Sequence, residues 1–337
     1  SASICRWKTT TTVRGVYTNG LASSASTAIT TKPFGPDVTD NSNTNTATSD
    51  FGNFVQTFQI EDLDVRGRLV RIEDSFWEAV QAHDYPPLLT RLIGETMVLA
   101  TVLGTALKFD GIFTLQVQGD GPVSLLIADV TSDGALRACA KLREGTELPE
   151  VGPGEVSIPQ LLGAGHMAMT VDQGPDMERY QGITEINGAT LAECAQNYFR
   201  QSEQLDTAIA IVSGLDNKAG KPRAAGLMVQ RLPGAADGDN EQEAWRRAVV
   251  LMSSIRADEL LDDKLSASKI LYRLYHEDGV RLFDQRIVHH ECRCSEERVR
   301  RTILSFPKDE VMDMMEDGQI SVTCEFCGND YVYYEAG

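Results

Sequence analysis

Near its C-terminal end the chain carries Cys292-Arg293-Cys294 and, after residues 295–323, Cys324-Glu325-Phe326-Cys327. Four of its seven cysteines therefore lie in two short pairs, C-x-C and C-x-x-C. A C-x-x-C pair can set two sulfurs on one turn, each about 2.3 Å from a shared zinc ion. A C-x-C pair can do the same from an extended segment. Chain that folds back between the pairs then brings four thiolates to one closed tetrahedral site, with Cys292, Cys294, Cys324 and Cys327 as ligands of one zinc ion. Gly328 follows the last cysteine, where a sharp knuckle needs a residue free to take positive φ. A module as small as residues 289–337 can barely build a core. Zinc ligation contributes an apparent ~10–16 kcal/mol in small domains, which rivals the whole ~5–15 kcal/mol stability of a typical domain. Metal would thus supply much of this module's order.

Other readings of the cysteines stand beside this one. Two permanent disulfides would suit a small secreted domain, whereas this chain is long and shows no signal peptide. An iron–sulfur cluster usually has other spacings. His289 or His290 could replace a thiolate, but four cysteines already complete a shell. Cys5, Cys139 and Cys194 are far apart in sequence, and the last two sit among apolar residues as small core side chains. The odd count points to a reducing compartment.

Composition limits the function classes. With 337 residues there is length for about two domains. A net charge of −18 repels phosphate backbones, so nucleic acid is not an expected partner. No apolar run is read as reaching the ~18 residues that span a bilayer, so no membrane partner is expected.

Residues 1–50 are rich in Ser, Thr, Asn and Gly without sustained period, and read as a disordered leader. Up to Pro36 they hold four basic and no acidic residues, a composition that also suits an organelle transit peptide. From Phe51 the pattern alternates. Strands are expected over residues 55–60 and 68–72, a short helix over 75–82, and a strong helix from Leu88. The helix is apolar around much of its girth, through Leu92, Ile93, Met97, Leu99 and Leu103, and should be buried. A β-meander follows over 112–118, 123–130 and 136–142. Glycines and prolines punctuate 145–165. A strand pair (167–171, 179–186), a helix with a Thr190/Glu193 capping box and two more strands (208–212, 225–230) complete an α+β core domain, 51–232, with one antiparallel sheet. After a polar break, residues 233–288 read as a helical linker with helices at 241–256, 257–263 and 267–276. Such short helices are marginal alone and need a neighbour to lie on. Residues 282–288 read as a strand. The C-terminal zinc and redox-switch domain, 289–337, would hold a helix capped by Ser295, another opened by Pro307, and a hairpin of 320–323 with 331–334.

Other chemistry is not found. Gly214 to Lys221 departs from the phosphate-loop pattern in spacing and has Pro222 where Ser or Thr is needed, so it reads as a hairpin turn. There is no H-E-x-x-H, G-x-S-x-G or G-x-G-x-x-G motif. His166 stands alone, and no nucleophile has a partnered base. No catalytic residue is assigned, and the chain is not expected to be an enzyme.

The C-x-C and C-x-x-C pairs at the end of an α+β core and a helical linker resemble the redox-switched thirty-three-kilodalton heat-shock chaperone family. Further matching stretches are Gly67-Arg68-Leu69-Val70-Arg71, Gly94-Glu95-Thr96, Leu115 to Pro122 and Tyr180-Gln181-Gly182-Ile183. The likeness spans roughly residues 55–334 and leaves the first 50 outside. It implies a cytoplasmic, ATP-independent holdase for unfolding client proteins in the stress response, or an organelle one if the leader is a transit peptide. In such proteins the reduced, zinc-bound form is an inactive monomer. Peroxide with heat, or hypochlorous acid, releases the zinc and pairs Cys292 with Cys294 and Cys324 with Cys327. Module and linker then unfold, and the active form is a homodimer.

The residues fit such a scheme on their own physics. Thiolates are both metal ligands and oxidisable groups. Loss of metal removes the module's main stabilisation, and apolar helix stripes then exposed would bind other exposed chains. The rival is a zinc-stabilised adaptor with constitutive binding. A third reading, a thiol oxidoreductase using Cys324 and Cys327, lacks an activating base at Glu325-Phe326.

Overall fold

The computed structural model describes residues 7–9, 29–30, 51–149, 157–215, 220–232 and 239–335. The chain divides into a large unit, residues 48–291, and a small unit, residues 1–47 with 292–337. Of the expected leader, the described residues are two short strands of the small unit, β1 (Trp7–Thr9) and β2 (Ile29–Thr30). The remainder of the expected leader lies outside the described residues, as does Cys5.

The large unit is α+β and begins with β3 (Phe54–Ile60), β4 (Val65–Ile72), α1 (Asp74–Val80) and α2 (Pro87–Gly104). The meander follows as β5 (Ile112–Gly119), β6 (Val123–Thr131) and β7 (Ala135–Leu142). Next come α3 (Ile158–Leu162), β8 (Gly165–Asp172), β9 (Tyr180–Glu185), α4 (Leu191–Tyr198), β10 (Thr207–Leu215) and β11 (Pro222–Arg231). The unit ends with α5 (Asp239–Ser253), α6 (Ala257–Leu261), α7 (Ala267–Tyr275), β12 (Val280–Ile287) and the two-residue β13 (His289–His290). Of the expected capping box at α4, the N-cap half forms, with Glu193 N–H donating to Thr190 Oγ1 at 3.1 Å, while the Glu193 carboxylate accepts from Ala189 N–H at 2.7 Å rather than from Thr190. Helix α3 was not expected. At its start Gln160 accepts from Ser157 N–H at 3.0 Å, within a stretch the prolines and glycines had marked as irregular.

In place of the one expected antiparallel sheet there are two. Five strands run in the order β10-β11-β4-β3-β12, and six in the order β13-β7-β6-β5-β8-β9. All pairs are antiparallel except β13 on β7. Periodicity identifies strands, but pairing across distant sequence decides how many sheets they make. Helix α2 packs against strands of both sheets, which explains its apolar girth: Leu92, Ile93, Met97, Val98, Leu99, Val102 and Leu103 are all buried. Each such side chain contributes roughly 1.5–3 kcal/mol of transfer free energy. The helix is long and apolar enough to cross a bilayer, contrary to the expectation that no run reaches that length; its apolar surface instead serves two sheets. Close packing fixes Gly94, because a Cβ there would stand 2.4 Å from Ser213 Oγ and 2.5 Å from Phe76 Cε1.

The five-stranded sheet is covered on both faces, so β4 lacks the alternation of a half-exposed strand: Arg68 through Ile72 are all buried. Val70 and Ile72 join the α2 core, while Leu69 faces a second apolar cluster with Phe58, Ile60, Leu227 and Val229. That second cluster is closed by Ala248 and Met252 of α5 and Ile270, Leu271 and Tyr275 of α7. Tyr275 stacks on Phe58 with ring centroids 5.9 Å apart and donates to Ala248 O at 3.2 Å. The expected helices of 233–288 therefore form, and their described part lies on an apolar sheet face within the large unit.

Helix α6 covers Phe51 and Ala225 with Leu260. Arg71 and Arg223 lie over the Phe51 ring at 4.7 and 5.1 Å. Arg223 pairs with buried Glu73 at 2.5 Å and reaches Asp263 at 3.6 Å, while Arg71 donates to Glu259 O at 3.3 Å. Burial holds the Arg71 guanidinium down to about 10. These contacts tie the helix layer to the sheet by charge as well as by apolar packing.

Candidate metal centre

The small unit contains α8 (Glu296–Ile303), α9 (Lys308–Asp313), β14 (Gln319–Cys324) and β15 (Asp330–Glu335). Strands β14 and β15 form the expected hairpin, and β1 and β2 flank it in the order β1-β14-β15-β2. Among the described residues its buried apolar core comprises Val299, Ile303, Ile320, Val322 and Tyr333.

Cys292 and Cys294 lie in the extended approach to α8, whose N-terminus Ser295 caps by accepting from Arg298 N–H at 3.3 Å. Cys324 ends β14, and Cys327 sits in the turn before β15. Gly328 closes that turn at φ 72° and donates its N–H to Cys324 O at 2.9 Å, while Cys324 N–H donates to Asn329 O at 2.9 Å. A side chain at Gly328 would be strained in this left-handed conformation. Tyr333 Oη donates to Glu296 O at 2.9 Å, fixing β15 against the start of α8.

The four sulfurs converge within 4.8 Å of one another. Cys292 Sγ is 3.7 Å from Cys324 Sγ, and Cys294 Sγ is 3.4 Å from Cys327 Sγ. Four sulfurs about 2.3 Å from a common tetrahedral ion would lie roughly 3.8 Å apart, so the donor set and its size fit such an ion. The protonation pattern leads to the same point. Contacts with Cys294, Cys324 and Cys327 hold the Cys292 thiol well below its usual range. Cys294 is lowered to about 6, its opposing contact with Cys292 being outweighed by those with Cys324 and Cys327. Cys324 and Cys327 are pushed up, first by Cys292 and then by Cys294. Sulfurs packed this closely repel one another as thiolates and share protons between them, and a metal ion that replaces those protons lets all four be thiolates.

Among the described residues the cluster contains cysteines alone. His289 and His290 belong to β13 of the large unit, where His289 Nε2 stands 3.5 Å from Glu291. Cys139 and Cys194 are buried core residues, as expected, and His166 lies on β8. The stretch 214–221 joins β10 to β11 as a hairpin connection, with Leu215 opposite Pro222; residues 216–219 lie outside the described residues. One contact escaped the sequence reading: Tyr331 Oη donates to Cys294 Sγ at 3.1 Å. Nothing in the strand pattern of β15 distinguishes this tyrosine from Tyr333 or Tyr334.

An α+β unit with a helix-covered sheet, followed in sequence by a small unit built on a four-cysteine cluster, defines the class: a two-unit protein whose candidate centre is a metal-capable thiol site. A sequence model of the Hsp33 protein family matches residues 53–334. A 33 kDa chaperonin of Caulobacter vibrioides is 43% identical over 282 residues, covering 82% of this chain and 93% of that protein. A 33 kDa chaperonin of Aeromonas salmonicida is 39% identical over 279 residues, covering 82% and 90%. The chain belongs to the Hsp33 family. The crystal structure of the Thermotoga maritima 33 kDa chaperonin shares the fold, with a TM-score of 0.73 and 24% identity over 84% of this chain and 95% of that one.

Proposed function

We propose that this protein is a redox-activated, ATP-independent holdase that binds unfolding client proteins during oxidative stress. Family membership and the chaperonin names of its relatives support the chaperone part. The observation that carries the redox part is the cluster of four sulfurs within 4.8 Å, beside a core that among the described residues has five buried apolar side chains. Cys292, Cys294, Cys324 and Cys327 would hold one zinc ion in the reduced form, which supplies cross-links that the core lacks.

On oxidation Cys292 pairs with Cys294 and Cys324 with Cys327. Each pair of thiolates gives up two electrons to one hydrogen peroxide, which takes two protons from solvent and leaves as two water molecules. The nearest contacts given above run between the pairs rather than within them. Pairing within C-x-C and C-x-x-C is favoured once the small unit loosens, because those sulfurs stay within two intervening residues of each other. Disulfide sulfurs no longer act as thiolate ligands, so the small unit loses its main tie.

Strand β12 leads through β13 directly into Cys292, so loosening there frees the end of the helix-bearing segment. Helices α5 and α7 are 15 and 9 residues long and hold by packing rather than by intrinsic helicity. Their departure would expose Phe58, Leu69, Leu227 and Val229, an apolar sheet face for unfolding chains. The charge of −18 keeps the opened form soluble. The protein works by holding rather than by turnover, as a monomer when reduced and a homodimer when oxidised, and in the cytoplasm unless the leader directs it to an organelle. The test is light scattering from a heat-denatured client with a zinc-release assay beside it. Oxidised, zinc-free protein should suppress aggregation and reduced holo protein should not. Equal suppression by both forms overturns the proposal in favour of a constitutive adaptor.

A further inference from the structure

The four sulfurs are not equivalent. Cys324 is wholly buried, whereas Cys292, Cys294 and Cys327 are partly exposed. Of those three, Cys294 is distinguished by an O–H donor, Tyr331 Oη at 3.1 Å. We propose that Tyr331 is a positioning residue that shields Cys294 from oxidant and so directs the first attack to Cys292 or Cys327. This inference rests on the redox reading above and names a residue that sets the order of its first step.

The physical reason is the charge on sulfur. The first step is attack of a thiolate sulfur on peroxide: an S–O bond forms, the O–O bond breaks, and hydroxide leaves and is protonated to water. A neighbouring thiolate then attacks the sulfenic sulfur, forming the S–S bond and releasing the second oxygen as water. The rate of the first step follows the nucleophilicity of the sulfur lone pair as well as its exposure. A hydroxyl donating to a thiolate draws density from that pair, and the bond must be broken or stretched as the sulfur turns toward the oxidant. Hydrogen bonds to charged groups are stronger than those between neutral ones. Partial loss of the bond in the transition state would slow attack at Cys294 by roughly five- to tenfold.

The rigidity of the donor supports the assignment. Tyr331 lies in β15, its backbone paired opposite Val322 of β14, two residues from Cys324. The next inward residue of the same strand, Tyr333, is anchored on Glu296 O. The phenol is therefore held by the same hairpin that presents the C-x-x-C turn, and its hydroxyl does not depend on a mobile side-chain stem.

The experiment compares the full-length, zinc-loaded protein with Tyr331→Phe, which deletes only the oxygen. Brief peroxide exposure with a sulfenic-acid trap, followed by peptide mass spectrometry, reports which cysteine reacts first. The variant should show a five- to tenfold faster rate of trapping at Cys294 and little change at Cys292. The cobalt-substituted protein should show its thiolate-to-metal charge-transfer band moved to longer wavelength, a signature that a change in folding stability alone does not produce. Should Tyr331→Phe fail to take up metal, a ring-fluorinated tyrosine at 331, a stronger donor of the same shape, should slow Cys294 trapping instead. Unchanged site order and an unchanged cobalt band overturn the proposal. Because trapping is read on the sulfur itself, it stands apart from the holdase reading, whose own failure would appear as wild-type protein that releases zinc in peroxide without suppressing aggregation.

Discussion

Leu271→Ala isolates the helix layer from the thiol centre. Leu271 is fully buried between α7 and the sheet face of Phe58, Leu69 and Leu227. Truncating a buried Leu to Ala costs ~2–5 kcal/mol, the transfer term plus the cavity left behind. Helix α7 has only nine residues and cannot recover that loss through intrinsic helicity. The strands beneath keep their hydrogen bonds and their α2 core on the opposite face, so the cost falls on the layer's attachment. At the lower bound of ~2 kcal/mol, the population of detached layer rises about 30-fold. Hydrogen exchange followed by mass spectrometry should show faster exchange over residues 239–288 in the reduced, zinc-loaded variant, with β5 to β8 unaffected. The same variant should suppress client aggregation without any oxidant. Leu99→Ala, in α2, serves as the control: it should lower stability by a similar amount without switching on client binding. Unchanged exchange over 239–288 would refute the packing account. Faster exchange with no client binding would refute the covered sheet face as the holding surface.

Cys292→Ser should lower zinc affinity sharply, and chelation of the wild type should speed exchange across 292–335 while leaving α2 protected; an equally protected small unit after metal removal would show that its core suffices. Burial raises the Glu95 carboxyl to about 7 from its usual 4.5, against the opposing charge of Arg91 at 3.5 Å. A folded value above the unfolded one means that the neutral form is favoured on folding, so this stability is present below pH ~4.5 and is lost as pH rises through 7. Glu95→Gln should therefore stabilise the protein by about 1–3 kcal/mol at pH 8 and by nothing near pH 4 in chemical denaturation; an equal gain at both values would show that ionisation is not the cause. Gly94→Ala should lower stability by ~1–3 kcal/mol or more, because its Cβ would collide with Phe76 and Ser213, and an unchanged melting midpoint would contradict that packing.

Much of this molecule was legible in its residues. The spacing within Cys292/Cys294 and within Cys324/Cys327 marked two ligand pairs, because short-range spacing fixes which neighbouring sulfurs can share an ion, while the meeting of the two pairs depends on the fold-back of residues 295–323. The caps at Thr190 and Ser295 and the positive φ of Gly328 were readable for the same reason: each depends on contacts within a few residues. The apolar girth of α2 foretold burial. It did not foretell two sheets, since pairing of β4 with β11, or of β12 with β3, joins residues far apart in sequence. Helix α3 was missed where proline and glycine outweighed a single Gln160 cap.

The sequence by itself determined the local items: helix and strand periods, caps, the knuckle glycine and a four-thiol set suited to a metal. Only the tertiary structure decided that α5 and α7 close an apolar sheet face, that Arg71 and Arg223 flank Phe51 beneath α6, and that Tyr331 Oη meets Cys294 Sγ. The division has a physical cause. Periodicity and spacing are properties of neighbours along the chain. Which face is covered, and which sulfur accepts a hydrogen bond, depends on groups that meet only after the chain has folded back on itself.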